Sequence, residues 1–347
     1  MGRVGHGLEE ANHARAKDEV MVIERTYLKS LTFSVAVAFG IGAGPTLAQS
    51  VQSPNSQIAT LLTKANAGDA QAQANLGYAY ENGQGVTQDY AQAAEWFRKA
   101  ASQGNADSQY ELGMMLALGR GVPQDYAESA ELYQRAAAGF HMAAELGDAH
   151  AQGSLGTMYA FGLGVHQDYA QATSWWRKAA EQGNADAQFE LGSAYAVDGS
   201  EGVAQDYAQA AFWWRKAALQ GDVCAQDSLG GLYEDGNGVP QDYAQAAVWY
   251  RRAADQGDAD AQYELGMLYY KGNGLPRNNI EAYFWLNLAA AGTNKPAGTN
   301  TRMDQDDHEK HANYANSRDE AASHLTKPQL TEVQARARKY LSEHPHM

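Results

Sequence analysis

The sequence predicts an all-α protein, an α-solenoid of six antiparallel helix-pair repeats with terminal capping helices, and three recurrences predict it. Gly68, Gly104, Gly147, Gly183, Gly221 and Gly257 open six copies of one pattern, spaced 36, 43, 36, 38 and 36 residues apart. A fixed period in that range marks a stacked array. Each copy places a Leu-Gly pair eight and nine residues after its opening glycine, from Leu76-Gly77 to Leu265-Gly266. Five copies then carry a Gly-x-Gly turn, and all six continue with an acid or amide that starts a second helix.

The chain begins with segments that read as targeting rather than fold. In residues 1–20 acids outnumber bases, so they are expected to be an upstream extension, with Met21 the better start. Residues 21–48 have the pattern of a signal peptide: Arg25 and Lys29, the apolar run Leu31 to Ala43, then Thr46-Leu47-Ala48 with cleavage after Ala48. The apolar run is too short to span a bilayer, so the expected location is periplasmic or secreted, with no stable membrane insertion after cleavage. Residues 49–67 form a linker and an N-terminal capping helix that carries Ile58, Leu61, Leu62 and Ala65.

The repeats are expected at 68–103, 104–146, 147–182, 183–220, 221–256 and 257–291. Their first helix, helix A, carries Ala, Leu and Tyr at i, i+4 and i+8, as in Ala72, Leu76 and Tyr80, which is one buried stripe. A glycine in mid-helix costs about 1 kcal/mol relative to alanine. Its recurrence beside every leucine predicts close approach by the bulky pair of helix B: Trp96-Phe97, Leu132-Tyr133, Trp175-Trp176, Trp213-Trp214, Trp249-Tyr250 and Trp285-Leu286.

Helix A ends at turns such as Gly83 and Gly85, where glycine supplies the left-handed position. Helix B opens with Asp89 to Gln92 and its equivalents, an N-cap with Glu or Gln three residues on. It ends in basic pairs such as Arg98-Lys99, Arg177-Lys178, Arg215-Lys216 and Arg251-Arg252. These complement the helix dipole and pair with acids, or form a ladder for an anionic ligand. Seven extra residues around Gly139 to Glu145 are almost two turns, predicting a second helix B longer by about 10 Å with its faces unrotated. Two extra residues near Gly199 to Gly202 enlarge a turn. Residues 292–347 are expected to hold a polar linker, Thr293 to His311, and C-terminal capping helices, the last starting at Thr326 with Leu330, Val333, Ala337 and Leu341 inward.

Charge narrows the partners. The net −15 sits entirely between residues 49 and 291, because the two flanks are each balanced. Such a segment repels phosphate backbones, so nucleic acid and anionic membrane are poor partners and a neutral or basic protein is a better one. The lone Cys224 makes no internal disulfide and reads as a small packed residue. Asp304, Asp306, Asp307, His308 and His311 look like metal ligands but read as a solvated charge run, and His344 and His346 as tail residues. No nucleophile, base and orienting group recur at a recognisable spacing, so no catalytic residue, metal or cofactor is expected.

Gly183-Asn-Ala-Asp-Ala-Gln188, Leu191-Gly192, Tyr195, Asp206, Ala210, Trp213 and Ala217-Ala218 together resemble the Sel-one-like repeat (SLR), a relative of the tetratricopeptide repeat. The resemblance covers residues 68 to about 291. It implies a right-handed superhelix of helix pairs acting as an adaptor, in bacteria often in the cell envelope. The cysteine-rich branch linked to penicillin binding has disulfides that this chain lacks. Ser-x-x-Lys and Lys-Thr-Gly are also missing, which leaves a β-lactam hydrolase the weakest reading.

In solenoids of this kind helix A lines the concave surface. At 100° per residue, six positions of helix A lie opposite the Leu-Gly-Tyr stripe, and these vary between copies. Tyr78, Tyr110, Met114, Leu118, Phe161, Phe189, Val197, Tyr263, Met267 and Tyr270 occupy them and are the expected anchors for a protein or peptide. Burial of these side chains between adjacent A helices is the competing outcome. A peptidoglycan or polysaccharide ligand, stacked on the tyrosines and tryptophans, is the alternative function.

Overall fold

The computed structural model describes residues 54–197, 203–292 and 305–344. The extension, the signal peptide, the enlarged turn at Gly199 to Gly202, Asp304 and His346 lie outside them. The described residues form fifteen α-helices and no strand, and the fold is an all-α solenoid. A first helix, α1 (Pro54–Asn66), precedes six pairs: α2 (Ala70–Asn82) with α3 (Tyr90–Ser102), α4 (Ala106–Leu118) with α5 (Tyr126–Glu145), and α6 (Ala149–Phe161) with α7 (Tyr169–Glu181). The pairs continue with α8 (Ala185–Ala196) and α9 (Tyr207–Leu219), α10 (Val223–Asp235) and α11 (Tyr243–Ala254), and α12 (Ala259–Lys271) and α13 (Asn279–Gly292). Two more helices follow, α14 (Gln305–Ser323) and α15 (Lys327–Glu343). The chain divides into two compact units, Met1–Ala187 and Gln188–Met347.

In the repeats, side-chain caps and left-handed glycines satisfy free backbone groups at helix ends. The Asp69 carboxylate accepts from the Ala72 amide at 2.8 Å to open α2, and Asp89 accepts from the Ala91 and Gln92 amides to open α3. At the other end of α2, Gly83 takes φ 67° and its amide returns to the Ala79 carbonyl. The return arm of a full capping box is made at α15, where Gln329 Oε1 accepts from the Thr326 amide at 2.9 Å.

The mid-helix glycine does what the pattern demands. A Cβ at Gly156 would lie 2.5 Å from the Trp176 ring, so only glycine lets α6 and α7 close on each other. The second residue of each bulky pair fills this role throughout, from Phe97 against Gly77 to Leu286 against Gly266. A buried glutamine then ties five of the A helices to the helix before them. Gln73 Nε2 donates to the Ala65 carbonyl, and Gln109, Gln152, Gln226 and Gln262 do the same to Ala101, Ala144, Ala218 and Ala254. A second glutamine at the end of helix B closes the clasp, as Gln103 donates to Gln73 Oε1 and Gln182 to Gln152 Oε1.

Helix α5 has 20 residues against 13 for α3 and α7, as the seven added residues predict. Measured from its start, its register on α4 is ordinary: Tyr133 meets Gly113 at the same position as Phe97 meets Gly77. The following repeat sits two turns further along. Gly121 packs against the backbone of Tyr90, the first residue of α3, whereas Gly164 packs against that of Tyr133, the eighth residue of α5.

The polar linker expected at Thr293 to His311 is too long at its far end. Residues 305 to 311 are the start of α14. Tyr314 and Ala321 of α14 and Val333 and Ala337 of α15 are buried against the last repeat.

Candidate partner-binding face

Helix A is capped by Asp or Asn at the same register in each copy, and five of the six end at a left-handed glycine, so equivalent positions stand alike relative to helix B of their own repeat. The stripe toward helix B is constant and buried, with Leu76, Leu112, Leu155, Leu191, Leu229 and Leu265 almost inaccessible. The opposite side carries the ten predicted anchors. The structure separates them by accessibility.

Met114 is not available to a partner. Its side chain is 7 % exposed and packs in one cluster with Tyr133, Leu155 and Met158, so it serves the core between the second and third repeats. Val197 is 56 % exposed at the end of α8. The other eight are half-buried. Tyr78 sits edge-on to Phe97 at 5.0 Å and Tyr110 leans on Tyr133 at 5.7 Å. Leu118 and Phe161 join the same cluster as Met114. Phe189 stacks on Trp214. Tyr263 stacks on Tyr314 of α14, and the Tyr270 hydroxyl donates to Glu320 at 2.7 Å. Met267 packs against the last core cluster. Aromatic rings here are therefore part support, part surface.

Acids share this face with the aromatics, and burial shifts their titration. The Glu111 carboxyl is held well above its usual range by desolvation first and then by Glu81 and Asp107, while the Tyr78 hydroxyl donates to it at 3.3 Å. Glu264, at the same register four repeats later, is pushed up to about 7 by burial and by Glu234. The Tyr250 hydroxyl donates to Glu234 Oε2 at 3.0 Å, and burial with Glu234 raises its own ionisation. Tyr314 donates to Asp260. The Cys224 thiol is pushed up to about 12 by burial and by Asp222, Asp258, Asp227 and Glu190, which keeps it protonated and unreactive. His150 is raised as well, but by its 2.6 Å contact with Asp107 and against its own desolvation.

The basic residues of helix B mostly do something other than pair with acids. Lys99 lies 3.6 Å over the Trp96 ring, Lys178 3.7 Å over Trp175, and Arg252 4.5 Å over Trp249, each three residues after its ring. Arg215 and Arg251 donate to the hydroxyls of Tyr233 and Tyr269. Arg98 with Glu128 is the acid pair of the expected kind, at 3.0 Å. The i, i+3 spacing of Trp and Lys was visible in the sequence and signals the stacking. The tryptophans themselves are at most 8 % exposed, among them Trp96, Trp175, Trp213, Trp214, Trp249 and Trp285. They offer no stacking surface to a sugar.

Among the described residues no group of His, Cys, Asp and Glu is placed to hold a metal ion, and no helix is long and apolar enough to cross a membrane. Asp306, Asp307, His308 and His311 lie on the first turns of α14.

The Sel1 repeat model matches residues 70–105, 106–139, 149–184, 185–222, 225–258 and 259–294. Its second match stops at 139, where the added turns of α5 begin. A protective antigen of uropathogenic Escherichia coli displaying an SLR fold is 30 % identical over 84 % of this chain and 72 % of its own, with a TM-score of 0.39. A Sel1 repeat protein from Oxalobacter formigenes is 27 % identical over 73 % of this chain and 100 % of its own, with a TM-score of 0.52. An immunity protein from Pseudomonas aeruginosa is 22 % identical over 64 % of this chain and 81 % of its own, with a TM-score of 0.44. No curated protein matches the chain.

Proposed function

The chain belongs to the Sel1 repeat family, whose members are generally protein-interaction scaffolds, and from that premise we propose that it is a non-enzymatic adaptor of the bacterial cell envelope. It binds a protein or peptide through the face of its A helices opposite helix B. The observation that carries this reading is the contrast within one helix. The side toward helix B repeats Leu, Gly and Ala in copy after copy, whereas the other side changes freely and holds apolar and aromatic groups that are mostly half-buried, with Val197 exposed. Packing explains the constant side. Recognition of a heteropolymer explains the variable one.

The envelope location rests on residues 21–48, with their short basic region, apolar run and small residues at the cleavage point. Pulse labelling in a bacterial host would give a mature chain starting at Gln49. A full-length chain retained in the cytoplasm would refute export.

Binding is tested by crosslinked recovery of partners from envelope extract, with Val197→Asp and Tyr270→Asp compared with the unaltered chain. Val197 is exposed and Tyr270 half-buried with its hydroxyl on Glu320, so helix content is followed by circular dichroism while recovery of at least one partner is expected to drop tenfold or more. Undiminished recovery of every partner by the double variant refutes this face.

A further inference from the structure

Helices α9 and α11 leave open an apolar row that the chain itself closes one repeat later. The sixth residue after the N-cap of helix B is Glu95, Glu131 and Ser174 in the first three repeats, then Phe212, Val248 and Phe284 in the last three. Phe284 is buried, with Tyr340 of α15 edge-on to its ring at 5.7 Å and the Arg336 guanidinium 3.9 Å above it. Phe212 and Val248 have no such cover. Together with Leu219, two turns along α9 from Phe212, they are 46 % to 66 % exposed. The two helices adjoin, since Trp249 of α11 shares a core cluster with Ala210 and Ala217 of α9.

Charge identifies the kind of helix that would complete the row. Helix α13 carries one acid, Glu281, and no base, and the helix that covers it is net basic: Arg336 of α15 donates from both terminal guanidinium nitrogens to Glu281. In α9 and α11 the signs are reversed. Gln209 and Gln245 stand where Glu281 does, and the two helices hold Arg215, Lys216, Arg251 and Arg252 with no acid among them. Arg215 and Arg251 are engaged by the hydroxyls of Tyr233 and Tyr269. Lys216 and Arg252 are exposed one turn past Phe212 and Val248 on the same face, over the rings of Trp213 and Trp249, and neither has a carboxylate partner among the described residues. The acid on that stripe is Asp255, which caps the end of α11. At physiological salt charges are screened beyond about 8 Å, so these cations outweigh the chain's remote acids for a segment lying on them.

We propose that the outer face of α9 and α11 docks a helix of a partner protein whose apolar stripe is flanked by Asp or Glu. Its apolar side chains cover Phe212, Leu219 and Val248 as Tyr340 covers Phe284, and its carboxylates pair with Lys216 and Arg252. This surface is built from B helices and stands independently of the A-helix face proposed above.

The test uses the full chain and a fluorescein-labelled peptide of three Leu-Glu-Glu-Leu-Leu-Glu-Glu units, read by anisotropy at physiological salt. Controls are the same peptide with lysine for glutamate and a shuffled peptide that has no one-sided stripe. The unaltered chain is expected to bind the acidic striped peptide at least tenfold more tightly than either control. Phe212→Ser with Val248→Ser should weaken that binding tenfold or more. Lys216→Glu with Arg252→Glu touches only exposed charge and should turn the preference toward the lysine peptide, which keeps the proposal testable if the serines disturb the helices. Equal binding of a control peptide, or unchanged affinity in both double variants, overturns it. So does loss of peptide binding in Val197→Asp with Tyr270→Asp, which would place the peptide on the A helices. Two other occupants are read in parallel. Flotation with phosphatidylglycerol vesicles, or a dimer in sedimentation velocity, that disappears with Phe212→Ser and Val248→Ser while the peptide fails to bind replaces the partner helix by a membrane or by a second copy.

Discussion

Helix α5 and helix α7 hold the same place in successive repeats, yet one has 20 residues and the other 13. The difference shows what the fold treats as a unit. Seven residues advance a helix by about 10 Å and rotate it by only about −20°, so the added length moves the next repeat along without turning any face away from its partner. Tyr133 joins the two registers. Its ring meets Gly113 within its own repeat, while its backbone meets Gly164 of the next.

The interface also loosens in the long repeat. Gly113 leaves 3.1 Å between a would-be Cβ and the Tyr133 ring, against 2.5 Å at Gly156 with Trp176 and at Gly192 with Trp214. At the register where other repeats end helix B with a clasping glutamine, α5 has Gly139. Arg135 meanwhile donates to the Ala101 carbonyl that Gln109 also reaches. The glutamine position before the next opening glycine is taken by Leu146, 90 % exposed.

Three measurements test that comparison, beginning with the largest effect. Deleting Gly139 alone turns the rest of α5 by about 100° and takes Phe140 and Ala144 out of the core, a loss of about 3–5 kcal/mol by urea unfolding. Deleting Gly139 to Glu145 together restores a 36-residue spacing and should cost less than the single deletion. If the longer deletion proves the more harmful, whole turns are not the unit of tolerance. Next, Gly156→Ala forces a methyl against Trp176 and is expected to cost about 2–3 kcal/mol, whereas Gly113→Ala should change stability by less than about 1 kcal/mol. Equal costs would show that the two interfaces are equally tight.

The smallest effect separates Glu111 from Glu264, which occupy the same register in the second and sixth repeats. Glu111 accepts a hydroxyl from Tyr78, whereas Glu264 has no such donor. A folded-state ionisation raised to about 7 favours the fold below the ordinary carboxylate range, near 4.5, and that advantage is lost as pH rises through about 7. Glu264→Gln should therefore match the unaltered chain at pH 4 and exceed it by about 1–2 kcal/mol at pH 8, after allowance for partial exposure. A difference of the opposite sign at pH 8 would mean that the carboxylate is stabilised where it stands.

Local chemistry made much of this legible in the sequence. Asp69, Asp89 and Gly83 declare helix ends because the groups they satisfy lie within a few residues, and the Gly156 and Trp176 pairing shows through its recurrence. Accessibility was harder to read. Met114 and Val197 both lie opposite the leucine stripe, but the core shared by the second and third repeats closes over one and the end of α8 leaves the other bare. Helical projection sees one helix and not its neighbours. For the same reason α14 begins earlier than its polar composition suggests, and Gly231 looks like its neighbour Gly230 until the Tyr250 ring is placed.

The buried glutamines give assembly a direction. Each reaches back to a carbonyl of the preceding helix, Gln73 to Ala65, Gln109 to Ala101 and Gln152 to Ala144, so its acceptor belongs to chain made earlier. A polypeptide that emerges amino end first presents every incoming repeat with a finished docking edge, while the newest edge stays unsatisfied until its successor arrives. In a chain stalled during synthesis, the open acceptor edge lies at its newest complete repeat.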